Sequence, residues 1–158
     1  MKNITLSFAV IAIALFSGCA HQKTKPDLVQ STEIDSGKKA LDSDSNNALG
    51  LKTIHFGYDE YTLSNQEKAT LKENVALLKT LKGRTVQIEG HCDKRGSVQY
   101  NLALGEKRAA SVKKFLIDHG ISKKRLSTIS YGKEKLLDNA DTEEANAKNR
   151  RANFLLTN

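Results

Sequence analysis

The chain has 158 residues, 39% of them hydrophobic, with two cysteines, one proline, no tryptophan and a formal net charge of +7. That length is enough for one ordinary domain, two cysteines exclude a disulfide framework, and the excess of Lys and Arg falls after residue 50, in the part expected to fold. Such a balance fits either an anionic polymer or surface as neighbour, or a solvated surface and nothing more; nucleic acid is excluded by the export leader described next and by the lack of aromatic residues interleaved in a basic patch.

Residues 1–18 open with Lys2, run apolar from Ile4 to Phe16 and close on Ser17 and Gly18 before Cys19. This is a secretory leader, too short and wrongly flanked for a spanning helix. Its end, LFSGCA, resembles the bacterial lipobox, with Phe16 where an aliphatic residue is usual. The resemblance implies that Cys19 is lipidated and fixes the chain to a membrane. Cys92 then stays unpaired, the alternative being a Cys19 to Cys92 bridge. Residues 19–50 mix Ser, Asp, Asn, Lys and Thr around Pro26 with no sustained period. So little apolar surface cannot offset the entropy of ordering, and a flexible tether is expected.

The folded domain is expected over residues 51–158. Ile54, Phe56 and Tyr58 alternate with Thr53, His55 and Gly57, which predicts a strand with one buried face. Ser64 ahead of Glu67 reads as a capping box, and Leu71, Val75 and Leu78 predict a helix to about residue 81, with Gly83 at C′. A second strand spans 85–90, with Val86 and Ile88 on one face. After a polar turn, Leu102, Ala109, Val112, Phe115 and Leu116 give a long helix its apolar side, ended by His119 and Gly120. Gly105 is a poor helix former and leaves the start of that helix open. A third strand over 126–131, a short helix capped through Asp141 and Glu144, and a last strand over 151–156 carrying Phe154 complete the series. The economical arrangement is an α/β fold of the α+β sandwich kind: a four-stranded mixed sheet, two main helices packed on one face and an additional short helix.

Residues 89–112, EGHCDKRGSVQYNLALGEKRAASV, put a strand end, a turn and a helix start into one stretch. Loops held between rigid elements are where binding concentrates. Asp93 sits just past the strand and Arg108 on the helix, so the turn brings a carboxylate toward a guanidinium. The pair is either a clamp for a zwitterion, one acceptor and one forked donor at fixed separation, or a direct salt bridge closing the helix onto the turn. His91, Cys92 and Asp93 invite a metal or Cys/His nucleophile reading, but neighbours in a strand point to opposite faces. With no further cysteine and no persuasive carboxylate dyad, no metal, no cofactor and no catalytic group is expected.

Several motifs of this chain occur together and in order: FxYD at Phe56, Tyr58 and Asp59, the EGHxDxRG block, YNxxLGExRA, ISYGKEK over residues 129–135, and NRRA from Asn149. In them the domain resembles the OmpA C-terminal-like family over residues 54–154, and the lipobox and tether match its Tol-associated lipoprotein branch. The resemblance implies an outer-membrane lipoprotein, facing the periplasm, that binds the peptide stem of peptidoglycan noncovalently, with TolB and TolA as protein partners. It further implies that Asp93 holds the ammonium and Arg108 the carboxylate of the stem's diamino acid. Asp59 and Tyr58 line the pocket unless Asp59 merely forms a turn. Asn101 either bonds ligand or caps the second helix, and one of Arg150 and Arg151 reaches stem carboxylates. The remaining alternatives are a wall-binding lipoprotein independent of Tol, or a peptidoglycan hydrolase.

Overall fold

The computed structural model describes residues 41–157. The leader, Cys19 and the tether up to residue 40 lie outside them. In chain order the elements are β1 (Leu41–Asp42), β2 (Ile54–His55), α1 (Asn65–Thr80), β3 (Thr85–His91), α2 (Val98–Asp118), a 3₁₀ turn (Lys123–Arg125), β4 (Leu126–Gly132), α3 (Glu143–Asn149) and β5 (Arg151–Thr157). β3 lies between β4, to which it is parallel, and β5, to which it is antiparallel. The parallel pair requires a crossover, and α2 supplies it. Along the other edge of β5, the short β1 and β2 pair antiparallel with its two ends.

The core forms where two helical stripes meet the alternate residues of two strands. Leu71, Val75 and Leu78 of α1 and Ala109, Val112 and Leu116 of α2 pack with Val86, Ile88, Ala152, Phe154 and Leu156. Ser64 caps α1, its hydroxyl accepting from Glu67 N at 3.1 Å. Ser97 caps α2, accepting from Tyr100 N at 3.2 Å. Gly105 therefore lies well inside α2, not in its first turn. A Cβ there would stand 2.9 Å from the Gly90 carbonyl oxygen, and one on Gly90 would run into the Gly105 carbonyl. The two glycines let helix and strand backbones meet, which outweighs the helix propensity lost at Gly105.

Five local expectations need correction. The first strand stops at His55: Phe56 is buried, but Tyr58 is 61% exposed, because Asp59 turns the chain away at a φ of +56°. Gly83 falls in the turn after the Leu81 cap, Leu102 faces solvent instead of the core, and α3 is capped by Thr142, one residue later than expected. The fifth concerns the domain boundary. Residues 41–50 belong to the ordered unit: Leu41 opposes Leu156, Ala48 is fully buried, and Ser43 and Asp44 bond to β5.

Those last bonds lie on the sheet face away from the helices. There Arg151 Nε donates to Asp44 Oδ2 at 2.8 Å, Asn153 accepts from Ser43 Oγ at 2.7 Å, and Asn153 donates to Glu89 Oε2 at 2.9 Å. His91 is beside them, 1% exposed, stacked on Tyr131 and 3.7 Å from Glu89 Oε2, with neither ring nitrogen hydrogen-bonded. Burial, with Arg151 nearby, pushes its pKa below 6.5 against the pull of Glu89 and Asp44. The unfolded chain takes up the proton first as pH falls, so His91 costs stability from about pH 6.5 downward. Urea unfolding should show the wild type losing stability between about pH 7 and pH 5, and His91→Phe losing distinctly less; equal losses would remove His91 from this role.

A candidate binding pocket at the end of the parallel strands

The pocket forms where β3 ends and α2 begins, closed on its third side by the loop after β2. Its volume is about 250 Å³, and Tyr58, Asp59, Cys92, Asp93, Arg95, Gly96, Tyr100, Asn101, Leu104 and Arg108 line it. Five of the residues singled out in the sequence thus come together: Tyr58, Asp59, Asp93, Asn101 and Arg108. Crevices outside the carboxyl ends of parallel strands are the usual ligand position in open α/β sheets.

Asp93 and Arg108 do not pair with each other. Asp93, 4% exposed, closes the turn on itself: Oδ1 accepts from Arg95 N at 3.1 Å, while Oδ2 accepts from Arg95 Nη2 at 2.5 Å and Arg150 Nη1 at 3.3 Å. Burial raises its pKa, but the bonds from the two arginines outweigh that and hold the carboxyl below its usual 3.8. Arg108 is fully buried and has no ion-pair partner among the described residues. Three of its donors go to backbone carbonyls, Nε to Glu60 at 2.8 Å, Nη1 to His91 at 2.8 Å and Nη2 to Gly57 at 3.0 Å. A guanidinium has five N–H donors and stays protonated, even though burial lowers the pKa of Arg108. By count one N–H on each terminal nitrogen has no carbonyl partner, and the Cys92 thiol lies beside the guanidinium.

The turn between is braced from several sides. Asn101 is not the helix cap; it donates through Nδ2 to the carbonyls of Arg95 and Ser97 at 2.7 and 3.1 Å. Cys92 is buried, its thiol donating to Asn101 O at 3.3 Å, and burial pushes its pKa up, so it stays a neutral thiol. Arg150 supports the pocket from behind, linking Asp93 to Glu143 at 2.8 Å and to Phe56 O at 3.0 Å. Arg151 does not join the site: successive strand residues face opposite sides, and its partner is Asp44. Among the described residues, no group of three His, Cys, Asp or Glu side chains converges as a metal set.

Sequence reasoning missed two pocket residues. Arg95 holds Asp93 and stacks its guanidinium 4.1 Å over the Tyr58 ring. The signal was available in DKRG, where an Asp closes a turn onto the N–H two residues on. Tyr100, whose hydroxyl donates to Asp59 Oδ1, depends on how the β2 to α1 loop folds back, and no local pattern announces that. A larger cavity of about 520 Å³ beside His55, Leu63, Glu67 and Lys148 takes in Phe56 of the FxYD motif but none of the candidate site residues.

Known proteins share this outline. The OmpA family profile matches residues 55–150. The peptidoglycan-associated lipoprotein of Brucella melitensis biotype 1 is 34% identical over 159 aligned residues, covering 96% of this chain and 95% of the relative. The crystal structure of the peptidoglycan-associated lipoprotein from Burkholderia pseudomallei superimposes with a TM-score of 0.66 at 35% identity, over 72% of this chain and 97% of that one. The C-terminal domain of Helicobacter pylori MotB shares the fold alone, with a TM-score of 0.65 at 22% identity over 69% of this chain and 86% of that one. The chain therefore belongs to the OmpA family, in the branch of the peptidoglycan-associated lipoproteins.

Proposed function

We propose that this chain is an outer-membrane lipoprotein, anchored through lipid on Cys19, whose domain faces the periplasm and binds the peptide stem of peptidoglycan without chemical change. One observation carries the reading: a fully buried arginine, Arg108, lines an open pocket with no carboxylate paired to it among the described residues. An unpaired buried cation is costly, and a ligand carboxylate offsets that cost.

The diamino acid of the stem fits this charge pattern. Its carboxylate meets the terminal nitrogens of Arg108, and its ammonium meets Asp93 Oδ1, which carries only the Arg95 backbone bond, together with the exposed Asp59 carboxylate. Tyr58 and Arg95 form the rim, while Asn101 and Arg150 hold the frame. The name shared by the Brucella and Burkholderia relatives, peptidoglycan-associated lipoprotein, supports the polymer as target. The domain is a non-catalytic binding module, and affinity for one stem is modest because ordering and desolvation offset a few charged contacts. Many copies on a polymeric wall gain by avidity.

Co-sedimentation with isolated peptidoglycan tests the reading. The full chain should sediment with the wall, and Asp59→Ala, exposed and outside the core, should bind at least about threefold less while keeping its circular dichroism spectrum. Failure of the folded wild type to sediment would overturn it. Assignment to the Tol system, with TolB as the periplasmic partner and TolA as a second, is part of the same proposal; purified TolB should be captured by this domain, and absence of capture would leave a wall-binding lipoprotein independent of Tol.

A further inference from the structure

A second, smaller cavity of about 210 Å³ adjoins the binding pocket, lined by Asp59, Tyr61, Tyr100, Ala103, Leu104 and Lys107. Asp59, Tyr100 and Leu104 line both cavities, so the hydrogen bond from the Tyr100 hydroxyl to Asp59 stands between them as a partition. Along α2, residues 100, 103, 104 and 107 follow the three-and-four spacing that puts side chains on one face. Ala103, the smallest of them, leaves the hollow.

Charge decides what the hollow takes. Lys107 and Arg108 are consecutive, so their side chains diverge by about 100° around the helix; Arg108 points into the first pocket and Lys107 into the second. Lys107 Nζ lies 5.4 Å over the Tyr61 ring and has no carboxylate partner among the described residues. The acid beside it in sequence, Glu106, is engaged elsewhere, accepting from Thr128 Oγ1 at 3.1 Å. The Asp59 carboxylate on the shared wall accepts from the tyrosine hydroxyl and forms no ion pair with Lys107. The result is a lysine with no ion-pair partner among the described residues, in a hollow walled by Tyr61 and Tyr100, one partition away from the proposed site of the diamino acid.

We infer that this cavity is a second subsite, in which Lys107 binds the free carboxylate of the stem residue next to the diamino acid, with Tyr61 and Tyr100 packing on that residue's aliphatic part. The inference rests on the stem-peptide reading of the first pocket. Two carboxylates qualify chemically: the α-carboxylate of the residue before the diamino acid, where that residue is an acid joined through its side-chain carboxyl, and the terminal carboxylate of the residue after it.

Calorimetric titration of the full chain with three synthetic stem peptides separates these sources: one with both carboxylates free, one amidated before the diamino acid, one amidated at the terminus. Wild type should bind one amidated peptide about two- to fivefold more weakly, the range for a partly exposed ion pair. Lys107→Gln should bind the fully free peptide at that weaker level and be indifferent to that amidation. Lys124→Gln, on an exposed lysine in the 3₁₀ turn at the far end of α2, removes the same net charge and should behave as wild type. Equal wild-type affinity for all three peptides, or the same loss on every peptide in Lys107→Gln, overturns the subsite and leaves the first pocket standing. Binding of none of the three by wild type overturns both.

Discussion

Arg108→Ala should destabilise the domain by roughly 2–4 kcal/mol, whatever it does to ligand binding. The side chain ties α2 to two other backbone segments, the loop after β2 through the carbonyls of Gly57 and Glu60 and the end of β3 through that of His91. A buried carbonyl stripped of its donor costs about 1–3 kcal/mol, but water entering the emptied pocket serves the two loop carbonyls, so the full sum of three is not expected. The loss is still a large fraction of a domain's usual 5–15 kcal/mol. Arg108→Lys should recover little, because a point cation cannot span three acceptors as the planar fork does. Urea unfolding at pH 7 checks this, and a wild-type midpoint for Arg108→Ala would refute the framework role. Loss of wall binding in an Arg108 variant is therefore ambiguous by itself, which is why the exposed Asp59 is the better probe.

The second large effect concerns residues 41–50. Asp44→Ala leaves Arg151, whose side chain is 3% exposed, buried without its counter-charge. Breaking such a pair by removing one partner costs about 3–5 kcal/mol. A domain cut to begin at residue 51 loses Leu41, Ser43, Asp44 and Ala48 together, but the cut also admits water to Arg151, so its penalty should be no greater than that of Asp44→Ala. Asp44→Asn should fall between wild type and Asp44→Ala, since the amide oxygen still accepts from Arg151 Nε. Thermal unfolding of the four proteins orders them, and wild-type stability in the shortened domain would contradict the packing of this segment against β5.

The sequence was most legible where many residues repeat one period. Leu71, Val75 and Leu78 in α1, Val86 and Ile88 in β3, and Phe154 in β5 were placed correctly because each belongs to a stripe several residues long. Residues 41–50 gave no such stripe. β1 has two residues, too few to show alternation, and the segment's grip on the fold comes from single polar side chains whose partners lie over a hundred positions away.

The site was legible as a set of residues but not as a set of bonds. Ordered motifs brought Tyr58, Asp59, Asp93, Asn101 and Arg108 to one place. Which charge meets which depends on a few degrees of loop backbone, and here Asp93 pairs with Arg95 and Arg150 while Arg108 pairs with carbonyls. The choice between Arg150 and Arg151 had a readable clue. Ala152, Phe154 and Leu156 share the core face, so Arg151 and Asn153 must face the other way.

The most direct measurement is a nitrogen-15 NMR titration of the folded chain with a soluble stem peptide containing a diamino acid. The stem-peptide reading predicts saturable shifts concentrated at the amides of Asp59, Asp93, Arg95, Gly96, Asn101 and Leu104. No shifts at saturating peptide, or shifts gathered instead around His55, Leu63 and Lys148 at the larger cavity, would contradict it.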